Sequence, residues 1–226
     1  MQGIDPSSGR LRVNLRAARA EDGLPRHMLE SMRRPLVLLV SCALAGLLLG
    51  RLMSSIPAPS SLTTFWVGNL SSPWAVLAFL AGWSQRSRAW AATSGVAAEV
   101  ACVAGFYGQF LVGDVVDPRR LGFVDSPDTL ALIGTALSQW LWFIAPWVVV
   151  GIGAGVVYGL LGRWWGESRS IAAGVAIALP FIVEPAAWRA YVGFGQGPPL
   201  LWLAEVAVGI AILGWFVGMR RKGANA

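Results

Sequence analysis

Six apolar runs alternate with short polar segments along the chain, at 35–53, 65–83, 89–112, 138–161, 171–188 and 200–219. Each is close to the ~20 residues that carry an α-helix across ~30 Å of hydrocarbon at ~1.5 Å per residue. None alternates apolar and polar positions over ~10-residue segments, as barrel strands do. The pattern predicts an all-α polytopic membrane protein, a bundle of six transmembrane helices occupying residues 35–219. Residues 1–34 are polar and Arg-rich with no apolar period, and read as a basic tail without packed structure. Residues 220–226 form a second, shorter tail.

Composition fits burial in a bilayer. The chain has 226 residues, of which 55% are hydrophobic and 13% charged, against the roughly 25% charged of soluble domains. The net charge of +6 falls mainly between the apolar runs, with no basic face interleaved with aromatics, so nucleic acid is not an expected partner. Placed in these segments, the charges set topology instead. With the N-terminus inside, fourteen of the eighteen basic residues are cytoplasmic, among them Arg86, Arg88, Arg163, Arg169 and Arg220. Arg51, Arg119, Arg120 and Arg189 remain outside. The positive-inside rule therefore selects cytoplasmic N- and C-termini in the plasma membrane, and an even helix count agrees.

Other assignments lack their residues. Cys42 and Cys102 both lie in apolar runs, where they read as small packing residues rather than a disulfide framework or metal set. His27, the single histidine, sits in the N-terminal tail, which leaves no His-based metal or catalytic group in the membrane. No metal or cofactor is expected. The segment 113–129 carries Asp114, Asp117, Asp125 and Asp128, but their spacing is not that of an EF-hand, and it reads as a solvated outer loop. Residues 130–137 stay apolar, so the fourth helix is expected to start early or to lie partly in the interface. Met32, followed directly by Arg33, Arg34 and the first run, is a second candidate start. Arg51 and the prolines of Ser55-Ile56-Pro57-Ala58-Pro59 argue for a retained helix over a cleaved signal peptide.

Small residues recur every fourth position at Gly46 and Gly50, at Gly151, Gly155 and Gly159, and at Gly214 and Gly218. Such strips let another backbone approach closely. Packing within one chain is the expected use, with a dimer interface as the alternative. Eight of the twelve tryptophans fall near span ends, where amphipathic rings favour the headgroup region. Trp74, Trp142, Trp147 and Trp215 lie deeper, and their indole N–H groups need acceptors.

The candidate chemistry is acidic. Glu99, Glu184 and Glu205 lie inside apolar runs, where a carboxylate is costly and normally faces a cavity, a partner or a proton pathway. Given the topology, Glu184 and Glu205 fall in the outer part of their helices. Asn69, Ser71 and Ser72 from the second run, just before Pro73 and Trp74, share that level with Tyr107 and Gln109 from the third and Gln139 from the fourth. Glu99 alone falls near the midplane. Pro180 and Pro185 bracket Glu184 and remove backbone donors, so a break of the fifth helix at the carboxylate is expected. Two carboxylates in one small cavity cannot both ionise cheaply, and such a pair suits cation binding, proton coupling or general acid chemistry. Nearby Trp and Tyr rings suit a cationic or aromatic ligand.

Phe65-Trp66-Val67-Gly68-Asn69-Leu70-Ser71-Ser72-Pro73-Trp74, Phe106-Tyr107, the glycine-rich fourth run, Val183-Glu184 and Trp202-Leu203-Ala204-Glu205 together resemble an actinobacterial family of multi-pass membrane proteins carrying a domain of unknown function. The resemblance runs from about Pro35 to Val217. That family has Asn-Ser-x-x-Pro-Trp or similar at the second span, Tyr-Tyr in the third and a glutamate in each of the last two. Phe106 here replaces one tyrosine. The resemblance supports the choice of site residues and implies no reaction.

Three functions remain open. The first is binding or transport of a small molecule through an outward-facing polar pocket built on Glu205, Glu184, Glu99, Asn69, Tyr107, Gln109, Trp74 and Trp202. The second is a membrane-embedded enzyme using a glutamate as general acid on a prenyl-type lipid, in the manner of a terpene cyclase. The third is a scaffold or assembly factor whose glutamates meet a membrane protein partner. Pocket shape discriminates among them: an aromatic-walled cavity facing lipid fits the enzyme, a wet outer vestibule fits transport, and a filled core fits the scaffold.

Overall fold

The computed structural model describes residues 26–56, 70–122, 128–192 and 199–224. Six α-helices lie among these residues: α1 (Arg26–Ser55), α2 (Ser72–Trp83), α3 (Arg88–Val116), α4 (Thr129–Ser168), α5 (Ile171–Val192) and α6 (Pro199–Ala224). A single 3-10 turn, Pro118–Leu121, follows α3. Four stretches are long and apolar enough to cross a membrane: Arg33–Ser55, Arg88–Val116, Thr129–Ser168 and Leu200–Arg220. Ser72–Trp83 and Ile171–Ala187 are apolar but shorter. The all-helical class expected from the sequence is present. Residues 65–69 of the second apolar run lie outside the described residues, as do residues 1–25 of the tail, while residues 26–34 of that tail are helical. The chain divides after Leu36, and the helix packing and the cavity belong to the unit Val37–Ala226.

The fourth helix starts early, one of the two expectations for the apolar stretch 130–137: it begins at Thr129 and runs for 40 residues. At ~1.5 Å per residue it is about 60 Å long, twice the hydrocarbon thickness. The fifth is continuous through Pro180 and Pro185. Each proline removes one backbone donor, yet neighbouring turns and packing hold the helix together, so the expected break at Glu184 does not occur.

Glycine decides how the helices approach. A side chain at Gly46 or Gly50 would collide with the carbonyls of Ala98 and Cys102, and one at Gly105 with that of Leu47, so α1 and α3 meet backbone to backbone. The α4 ladder works the same way: Gly155 lies against Gly95 and Val96, Gly159 against Ala91 and Gly82, and Gly162 against the carbonyl of Phe79. It therefore serves contact within the chain, joining α4 to both α2 and α3. Gly214 and Gly218 have no described atom where a Cβ would reach, and that pair takes no part in this packing.

Aromatic side chains fill the space at one end. Phe79, Trp165, Ala173, Ile177 and Phe216 form a buried cluster from α2, α4, α5 and α6, with the Trp165 and Phe216 rings edge-on at 4.3 Å. Arg169, which ends α4 in the left-handed conformation at φ 52°, lays its guanidinium over Trp83 and Trp165 at 5.8 and 5.4 Å. The α2–α3 connection is pinned alongside. Buried Gln85 donates to Ser94 Oγ at 2.8 Å, and Arg163 donates to the Gln85 carbonyl at 3.2 Å. A second buried cluster, Met53, Leu70, Phe106 and Trp202, closes the opposite part of the bundle.

Candidate functional site

The first turn of any helix leaves backbone N–H groups without acceptors. Helix α2 begins at Ser72 with Pro73 in its first turn, and the side chain of Ser71 at the N-cap makes no capping bond. Glu184, from α5, supplies the acceptor. Its Oε1 takes the Ser71 N–H at 2.9 Å and its Oε2 the Ser72 N–H at 3.1 Å. A carboxylate at the positive end of a helix is favoured both by its hydrogen bonds and by the helix dipole. Ser72 then turns its hydroxyl the other way and donates to Glu205 Oε1 at 2.8 Å. Glu205 also lies within electrostatic reach of Glu184. The outer oxygen of this group, Glu205 Oε2, is buried without a hydrogen-bond partner among the described residues.

Beside this knot opens a cavity of about 1110 Å³ walled by α2, α3, α4 and α5. Trp74 and Ala75 line it from α2, and Glu99, Val103, Phe106 and Tyr107 from α3. Helix α4 contributes Trp147, Gly151, Ala154 and Tyr158, and α5 contributes Leu179, Val183 and Glu184. The α3 set follows i, i+4, i+7, i+8 and the α4 set i, i+4, i+7, i+11, so each is one helix face. Glu99 is 4% exposed, yet it accepts no hydrogen bond and makes no ion pair with any described residue. Tyr158 lies within electrostatic reach of both Glu99 and Glu184. Tyr107 stacks on Trp147 at 6.1 Å and meets Phe106 edge-on at 5.0 Å. The cavity thus has aromatic and aliphatic walls with two carboxyl groups, one held by a helix N-terminus and one bare.

The expected residues divide around this geometry. Glu99, Glu184, Trp74 and Tyr107 line the cavity, which takes Glu99 out of its expected isolation at the midplane. Glu205 adjoins it through Ser72 and Glu184. Trp202 is buried beside Met53, Leu70 and Phe106 rather than on the cavity. Gln109 is half-buried on α3 away from the lining, Gln139 is exposed on α4, and Asn69 lies outside the described residues. Sequence reasoning passed over Tyr158 and counted Trp147 only as a deep tryptophan. Their signal was the spacing from Gly151, four residues back to Trp147 and seven forward to Tyr158, which puts all three on one face. Among the described residues no group of three or more His, Cys, Asp or Glu is placed to hold a metal ion.

The chain matches no curated protein and no solved structure. Residues 29–121 match the model of a family of unknown function (DUF6518), a stretch that takes in Trp74, Glu99 and Tyr107 and ends before Glu184, Trp202 and Glu205.

Proposed function

We propose that this is a six-span plasma-membrane protein, with both termini cytoplasmic, that binds a small molecule in the cavity between α2, α3, α4 and α5. The observation that carries the reading is Glu99, a buried carboxyl with no hydrogen-bonding or ionic partner among the described residues, set in the wall of a cavity of about 1110 Å³. A carboxyl group in that position is costly to fold around, and a site for a ligand, a translocated species or a proton is the usual return. The lining is mainly aromatic and aliphatic with a few convergent polar groups, as small-molecule sites are. Helices α2 and α5 meet at Glu184, in the wall of the cavity.

The test is mass spectrometry of whatever co-purifies with the protein in native lipid, for wild type, Glu99→Gln and Ala154→Trp. The tryptophan would fill the cavity from α4. A defined molecule present in wild type and lost in Ala154→Trp supports the reading. Bulk lipid alone in all three, with no added compound binding either, refutes it.

A second reading is supported by the same aromatic walls and by the exposed apolar side of the cavity between α4 and α5, the lipid-facing form that fits an enzyme. Tyr107, Trp147, Tyr158 and Trp74 surround a carboxyl group able to give a proton, an arrangement suited to carbocation chemistry on a prenyl-type lipid. Conversion of an unsaturated prenyl substrate by wild type and not by Glu99→Gln would establish it over simple binding.

A further inference from the structure

The lining of the cavity has a definite electrostatic sense. Two carboxyl groups face it, and among the described residues that line it there is no Lys, Arg or His. The charge of Glu184 is met by the backbone amides of Ser71 and Ser72 at the start of α2. No described residue meets the charge of Glu99. Among the described residues, Glu99 is therefore left without a positive counter-charge.

Its side between α4 and α5 is apolar. Trp147 and Val150 on α4 are 49% and 63% exposed, and Leu179 and Val183 on α5 are 50% and 47% exposed. All four also line the cavity, so it is open between α4 and α5 through side chains suited to lipid, while Ser71 and Ala187 are the further exposed residues of the lining. A molecule entering there comes from the bilayer and carries an apolar body.

The walls say which kind of cation fits. A hard inorganic ion needs a close shell of oxygens, and the oxygens here are spread around a space of about 1110 Å³. Trp74, Tyr107, Trp147 and Tyr158 instead put four aromatic rings in the lining, and aromatic rings attract organic cations most strongly when water is excluded. We infer that the ligand of this cavity is a lipophilic organic monocation, an amine or quaternary onium group on an apolar body, which enters between α4 and α5 and sets its charge against Glu99. This rests on the small-molecule reading and names the ligand class for it.

Tetraphenylphosphonium and tetraphenylborate give a direct test, because they match in shape and apolar surface and differ in the sign of charge. Binding of each is measured by tryptophan fluorescence and by thermal shift, with the full chain in nanodiscs of uncharged lipid. The phosphonium is expected to bind and the borate not to. Glu99→Gln should weaken phosphonium binding by about tenfold or more, as loss of a buried charge partner does, while its unfolding temperature without ligand reports that it is folded. Tyr158→Leu, which removes a ring and keeps the charge, should weaken it less. Equal binding of both ions, or phosphonium binding unchanged in Glu99→Gln, overturns the inference. So does failure of both ions to bind. If a neutral molecule nevertheless co-purifies and is lost in Ala154→Trp, the ligand class is wrong and the small-molecule reading stands.

Discussion

Glu184 Oε1 accepts the backbone N–H of Ser71 at 2.9 Å, so the cap of α2 comes from a residue 113 positions away rather than from the serine at its own N-cap. This ties the short second helix to the fifth, and it explains why a carboxylate survives in an apolar run. The amides of a first helical turn have no acceptor within their own helix. The same contact fixes Glu184 in the cavity wall, so helix capping and the site share one residue.

Removing that carboxylate should cost stability. Glu184→Ala takes the acceptor from the Ser71 and Ser72 amides, of which the second is buried, a loss of about 2 kcal/mol for hydrogen bonds to a charged group. Glu184→Gln keeps one acceptor oxygen and should lose about half as much. Thermal unfolding of the detergent-solubilised protein measures both. An unfolding temperature unchanged in Glu184→Ala would show that α2 does not depend on this cap.

At the other end of the bundle, Arg169 combines a left-handed backbone with its position over two indoles. Replacement by Ala loses the cation–π contacts and keeps the unfavourable φ. Replacement by Gly loses the same contacts and relieves the backbone by about 1 kcal/mol. The expected order of unfolding temperature is therefore Gly above Ala. Ala equal to or above Gly would place the value of Arg169 outside its backbone conformation.

Much of the architecture was legible in the residues. Apolar run length gave the helices, because bilayer-length segments leave little choice of structure. Four-residue glycine spacing gave the α4 strip, because it marks one face. The Gly214 and Gly218 pair has the same spacing and packs against nothing described, since spacing marks a strip and not what covers it. The break expected at Pro180 and Pro185 failed for a related reason: a proline removes a donor, but tertiary contact decides whether the helix tolerates it. The pairing of Glu184 with the start of α2 could not be read at all. It depends on where two helices meet, and only their polar residues and common depth hinted at it.

The glycine contacts predict an asymmetry between strips. Gly159 sits where an added Cβ would press on the Ala91 carbonyl, with Ala92 close behind, so Gly159→Ala must push α4 away from α3. Overpacking of this kind costs about 1–3 kcal/mol. Gly214→Ala meets open space and should change little, or gain slightly from helix propensity. Unfolding temperatures of the two variants provide the comparison. Equal losses would mean that the α6 strip also packs, against something beyond this chain's described residues.

Orientation is the most accessible test of the architecture. Arg88 and Arg163 both approach Glu167, at 3.8 and 3.0 Å, so the α2–α3 and α4–α5 connections lie at one end of the bundle. Arg86 and Arg169 belong to the same connections, and the concentration of arginine there argues that this end is cytoplasmic. Arg119 and Arg120, in the 3-10 turn after α3, lie at the far end of that helix, where Asp117 pairs with Arg120 at 3.7 Å and reduces their weight as a topology signal. In a background with Cys42 and Cys102 replaced by alanine, single cysteines at the exposed positions Ser84, Ser168 and Arg119 can be probed in intact cells with a membrane-impermeant thiol reagent. Ser84→Cys and Ser168→Cys should label only after the cells are opened, and Arg119→Cys before. Labelling of either serine position from outside would invert the bundle. The cavity between α4 and α5 would keep its opening to the bilayer, but the arginine end would face the exterior and the cytoplasmic termini would be ruled out.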